Sequence, residues 1–182
     1  VTFLFRYLNF SWIYIERLLW VVPFILLTSA GSALLFRYLF ASFLHAFLSV
    51  LIYGFNTYII MITSGGQMGV VLGYAAAPLV MYGFIRALQE KSGQMRSVCV
   101  VATGIFVSLQ FAFDLRLTYI TLVVVAAWVI MEAVSRKNGK VFVYAVLPVI
   151  IAGLLHTFWL VPFVLIRQNP LASLGEEFIN TG

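Results

Sequence analysis

YGFNTYIIMITSGGQMGVVLGYAAAP, residues Tyr53–Pro78, joins two apolar runs through a short uncharged break, Thr63-Ser64-Gly65-Gly66-Gln67. After the break, Gly65, Gly69, Gly73 and Ala77 recur at every fourth position. On a helix, residues four apart share one face, so this spacing predicts a continuous stripe of small side chains. In lipid such a stripe admits a second helix at close range, within the bundle or from another subunit. The stretch therefore points to a tightly packed membrane bundle with one polar opening.

Composition extends that reading to the whole chain. Of 182 residues, 63% are hydrophobic and 9% are charged, whereas soluble domains are about a quarter charged. A chain this poor in charge has too little polar surface to face water, and membrane lipids become its expected surroundings. The net charge of +5, from 11 basic and 6 acidic residues, does not indicate nucleic acid. The basic residues cluster in short links between apolar runs, the pattern that membrane orientation produces. One cysteine, Cys99, excludes an intrachain disulfide.

Counting runs of roughly 20 apolar residues predicts an all-α, polytopic membrane bundle of six spans, at 18–36, 40–62, 68–85, 97–113, 117–134 and 141–163. Residues 1–17 are too interrupted to span and are crowded with aromatics, which favours an interfacial helix or the end of a truncated span. Residues 164–182 read as a polar extracytoplasmic tail. The sequence opens at Val1 in mid-pattern, and the expectation is a piece of a longer membrane protein. Asn9-Phe10-Ser11 matches the glycosylation acceptor tripeptide, a pattern that is common by chance. Arg37, the link 86–96 and the link 135–140 fall on one side of the bundle when the six spans alternate. Basic links mark the cytoplasmic side, so the chain is expected in the cytoplasmic membrane with the Thr63–Gln67 break and the Asp114-Leu115-Arg116 turn outside.

Several residues in this arrangement carry candidate chemistry. Asp114 and Arg116 are an acid and a base at an outer turn, able to meet a metal, a phosphate or a sugar hydroxyl; they also fit a solvated turn with a local ion pair. His156 lies within the sixth expected span, where ionisable groups face the bundle or an aqueous cavity. It is either a ligand or proton-handling group or a neutral histidine bonded to a neighbouring helix. Gly66 and Gln67 offer backbone N–H groups to an anion, as nests do, or form a turn. Asn56 fits an interhelical hydrogen bond. His45 and His156 fall on opposite halves of the bundle and no cluster has metal-ligand spacing. No Walker lysine or Gly-x-Gly-x-x-Gly supports nucleotide binding.

The series Tyr53-Gly54-Phe55-Asn56, then Ser64-Gly65-Gly66-Gln67-Met68-Gly69, then Gly73-Tyr74-Ala75-Ala76-Ala77-Pro78-Leu79 resembles segments of GT-C-type polytopic membrane glycosyltransferases and their relatives. His156-Thr157-Phe158-Trp159-Leu160-Val161-Pro162-Phe163 is similar to one of their helix ends, with His156 standing where Asn is expected. The resemblance implies transfer of sugar from a polyprenyl-phosphate carrier on the outer face, often with a divalent metal. It implies a catalytic role for Asp114 and substrate contacts from Arg116, Gln67, Gly66 and His156 around one outer cavity. Two other readings compete: a membrane scaffold or assembly subunit without chemistry of its own, and a transporter module. A transporter would show paired broken helices, and the sequence offers one break.

Overall fold

The computed structural model describes residues 14–15, 17–137 and 139–165 of the chain. These residues form an all-α bundle, and among them there is no β-strand. A π-helical turn, Arg17–Val21, leads into α1 (Val22–Phe40). There follow α2 (Phe43–Gly54), α3 (Thr57–Ser64), α4 (Met68–Gln89), α5 (Gly93–Phe113), α6 (Leu115–Arg136), α7 (Lys140–Leu155) and α8 (Thr157–Leu165). Five helical stretches are long and apolar enough to cross a membrane: Arg17–Phe40, Phe43–Ser64, Met68–Gln89, Gly93–Phe113 and Leu115–Arg136. Their length and apolarity mark the chain as an integral membrane protein.

The expected sixth span differs from a single crossing helix. It is divided into α7 and α8 at His156, and α7 alone has 16 residues. The second span is interrupted too, at Phe55-Asn56 between α2 and α3. The third is longer than expected, running one turn past Ile85 to Gln89. The interfacial helix expected over 1–17 falls almost wholly outside the described residues. So does the polar tail from residue 166 onward, and Leu165 still belongs to α8.

Helix α4 is the axis of the bundle. It packs against α1, α3, α5, α6 and α7, and Val80, Phe84 and Ala87 along it are almost wholly buried. Small residues make this possible. A Cβ on Gly31 of α1 would lie 3.1 Å from the backbone N of Leu79, and one on Gly83 of α4 would lie 2.7 Å from Thr103 Oγ1 of α5. Close backbone approach of this kind replaces the hydrophobic driving force that lipid removes between helices.

The small-residue stripe that drew attention in the sequence works over half its expected length. Helix α4 begins at Met68, so Gly65 caps α3 and lies outside the helix that carries the stripe. A Cβ on Gly69 would meet Phe113 O at 2.9 Å, and one on Gly73 would meet Asp114 Cβ at 3.1 Å. The helix partner along the stripe is thus the end of α5 and the turn that follows it, inside the same chain.

The basic links gather at one end of the bundle, as the alternation of spans requires. Tyr38 donates from its hydroxyl to Gln89 Oε1 (2.7 Å), and the Arg86 guanidinium lies 5.4 Å from the Tyr38 ring centre. Arg136 donates to Leu88 O (3.4 Å), and Arg96 lies 4.6 Å over the Tyr144 ring. Arg37, Arg86, Lys91, Arg96, Arg136, Lys137 and Lys140 share this end with Glu90 and Glu132.

Candidate functional site

The Asp114 turn is built by its own backbone. Asp114 has extended φ and ψ of −156° and 116° and caps α6. Its Oδ1 accepts from the Leu117 N–H (3.0 Å) and its Oδ2 from Arg116 Nη2 (2.9 Å). An Asp in this position satisfies one of the orphan N–H groups of the first helical turn. Both carboxylate oxygens are engaged and the side chain is 9% exposed, while that of Arg116 is 76% exposed. The Arg116 hydrogen bond, aided by the Leu117 N–H, holds the Asp114 carboxyl below the usual carboxylate range against the opposing effect of burial. A depressed carboxylate is a weaker proton acceptor, so the geometry suits an anion and a cap more than a general base.

The sign of the pH dependence follows. A carboxylate with a lowered folded-state value stabilises fully above the unfolded value of about 3.9 and loses that contribution as pH falls through the lower folded value. Arg116→Gln is expected to move this loss to higher pH, and acid unfolding of the two proteins in detergent between about pH 2 and 5 checks it. Asp114→Ala is expected to cost about 1 kcal/mol by loss of the cap.

Gly66 and Gln67 use their donors in the turn itself. Gly66 adopts φ 72°, a left-handed conformation that favours glycine. Its N–H donates to Thr63 O (3.0 Å), and the Gln67 N–H donates to Ile62 O (3.3 Å). The expected anion nest therefore has both donors satisfied by carbonyls of α3. The Gln67 side chain is exposed and makes no cap bond to α4.

His156 forms the joint between α7 and α8 and is 7% exposed. Trp159 Nε1 donates to His156 Nδ1 (2.9 Å). An indole N–H only donates, so Nδ1 is the acceptor and the proton of the neutral ring sits on Nε2. Nε2 lies 3.0 Å from Ser108 O and 3.1 Å from Ser108 Oγ, which gives that proton its acceptors. Phe111 covers the ring at 4.7 Å. A cavity of about 190 Å³ beside it is walled by Val107, Phe111, Thr118, Ala152 and Leu160. Replacing His156 by Phe strands the Trp159 N–H and a Ser108 acceptor; a loss of about 2–3 kcal/mol is expected, read by SDS unfolding together with the Trp159 emission shift.

The cavity beside His156 and the one beside Tyr53 and Tyr74 do not include Asp114, Arg116, Gly66 or Gln67 in their linings. Gly73 and Asp114 meet on one side of α5, with Gly69 against Phe113 O, and His156 meets Ser108 and Phe111 of the same helix.

A connected polar cluster surrounds Asn56 and the Tyr53–Tyr74 stack. Pro78 lacks an N–H and leaves the carbonyl of Tyr74, four residues earlier, without its helical donor. The Tyr53 hydroxyl of α2 donates to that carbonyl at 2.8 Å, and the two tyrosine rings stack at 4.2 Å and 11°. Asn56 Oδ1 caps α3 by accepting from the Ile59 N–H (3.1 Å). Its Nδ2 donates to Tyr53 O (2.9 Å) and across to the Tyr74 hydroxyl (2.8 Å). From the other side, Gln110 Nε2 of α5 donates to Gly73 O (3.0 Å) and Thr121 Oγ1 (2.8 Å). Gln110 is 0% exposed. The signals were present in the sequence: a proline four residues after Tyr74, and one amide inside the apolar run that ends at Phe113.

A lateral groove of about 480 Å³ runs beside this cluster, between Tyr53, Tyr58 and Tyr74 on one side and Leu117, Ile120 and Val124 of α6 on the other. Its Leu117 end adjoins the Asp114 turn, and Tyr58 is close enough to Arg116 to interact with it electrostatically. Among the described residues, no group of three or more His, Cys, Asp or Glu side chains could hold a metal ion. No family model, no curated protein and no solved structure matches this chain.

Proposed function

We propose that this chain is a structural module of the membrane, a helical core that holds adjoining segments or subunits in register from within lipid. The observation that supports it is the use to which its polar side chains are put. Asn56, Tyr53, Gln110, His156 and Asp114 bond to backbone or side chains of neighbouring turns and helices. Asp114 closes a helix end, Tyr53 a proline gap and His156 a helix joint, while Asn56 and Gln110 bond across to α4. The basic end faces the cytoplasm on this reading, by the excess of Lys and Arg in short links, and the Asp114 turn faces outward.

A second reading is favoured by the lateral groove. In a GT-C-like transferase, a polyprenyl-phosphate sugar carrier would lie with its chain against Tyr53, Tyr58 and Ile120 and its phosphate near Arg116, on the extracytoplasmic side. Sugar transfer by membranes containing the full-length protein separates the two. For the structural module, Asp114→Asn and Arg116→Gln lower stability and leave any activity per folded molecule unchanged. Loss of sugar transfer in either variant, at an unchanged folded amount, overturns the structural reading and supports the transferase.

A further inference from the structure

The basic end of the bundle is more than a set of separate cations. Arg96 Nε of α5 donates to Glu90 O (2.8 Å), with its Nη2 on the same carbonyl, while its guanidinium lies over Tyr144 of α7. Arg136 of α6 donates to Leu88 O and pairs with Glu132. Two arginines from two helices therefore bind carbonyls at the C-terminal end of α4, where the helix dipole favours cations. They tie the α4–α5 and α6–α7 links into one surface. Lys91, Lys137 and Arg37 stand exposed around it.

The depth of this surface identifies its partner. The links comprise residues 90–92 and 137–139, so their cations lie within a few residues of apolar, membrane-length helices. They lie where helices of membrane-spanning length end, close to the expected level of lipid phosphates. Basic residues at that depth attract anionic lipids by about 1 kcal/mol each. We propose that this end is a docking surface for the headgroups of anionic phospholipids. The phosphate is drawn by Lys91, Lys137 and Arg37 onto a floor kept rigid by Arg96 and Arg136.

The test uses the chain in nanodiscs of phosphatidylcholine with phosphatidylglycerol, with retained lipid identified by native mass spectrometry after detergent release. The native chain is expected to retain phosphatidylglycerol several-fold above its share of the disc. That excess is expected to fall partway in Lys137→Gln, to the disc ratio in the triple variant Lys91→Gln, Lys137→Gln, Arg37→Gln, and as salt is raised to about 0.5 M. The arginines that cap α4 are left intact so that the bundle stays closed. Retention at the disc ratio by the native chain overturns the proposal. So does an excess unmoved by salt, a result that does not depend on any variant folding. If inorganic phosphate at millimolar concentration displaces the lipid fully, the surface is a free-anion site and the headgroup assignment fails.

Discussion

Replacing Gly104 with leucine is expected to unseat α7 from α5, at a cost of about 3 kcal/mol or more. A Cβ at this position would lie 2.7 Å from Ile151 Cβ and Cγ2 and 3.1 Å from Pro148 O. Ile151 is branched at the atom that would be struck, so it cannot swing a flexible end away. Pro148 O is backbone. The helices must therefore separate, and with them the Ser108–His156 contact that lies one turn further along α5. In lipid this separation is not opposed by the hydrophobic effect, since lipid tails replace the lost apolar neighbours. Gly104→Ala is expected to give a smaller loss in the same direction. SDS titration followed by Trp emission measures both, and a leucine variant as stable as the native chain removes the close α5–α7 contact from the account.

Tyr53→Ala is expected to cost about 2–4 kcal/mol, because two interactions end together. One is the ring stack on Tyr74 at 4.2 Å; the other is the hydroxyl donated to Tyr74 O. Tyr53→Phe keeps the stack and removes the donor. Its expected cost is about 1–2 kcal/mol, above the average of about 0.6 kcal/mol for interhelical hydrogen bonds in membranes. The excess arises because Pro78 leaves that carbonyl with no helical N–H to return to. A double-mutant cycle isolates this cause. Pro78→Ala restores an N–H four residues after Tyr74, and in that background Tyr53→Phe is expected to lose most of its effect. Equal costs in the two backgrounds mean that the hydroxyl acts elsewhere and that Pro78 is not the reason for its placement.

These two sites show where the sequence was legible and where it was not. The run Tyr53–Pro78 disclosed lipid, helix and close packing, and the structure bears out an all-α bundle with helices of spanning length. The links carrying Arg37, Arg86, Lys91, Arg96, Arg136, Lys137 and Lys140 were expected to share one side of the membrane; the structure shows Tyr38 meeting Gln89 and Arg136 meeting Leu88 O. The joint at His156 was not legible, because a histidine within an apolar run is compatible with a continuous helix. The close contacts at Gly83 and Gly104 were not legible either, since isolated glycines carry no period.

What the sequence determined by itself is what depends on residues near one another along the chain. Apolar run length, scarcity of charge and the alternation of basic links are local quantities, and they decide that the chain is helical, lies in lipid and turns back after each span. The tertiary structure alone decided which polar group meets which. His156 meets Ser108 of α5, Asp114 caps α6, and Tyr53 completes a proline gap 21 residues away. Such pairings depend on the rotation of each helix about its axis. In lipid that rotation is set by close contacts such as Gly31 on Leu79 and Gly104 on Ile151, and a hydropathy pattern that is apolar all round leaves it open.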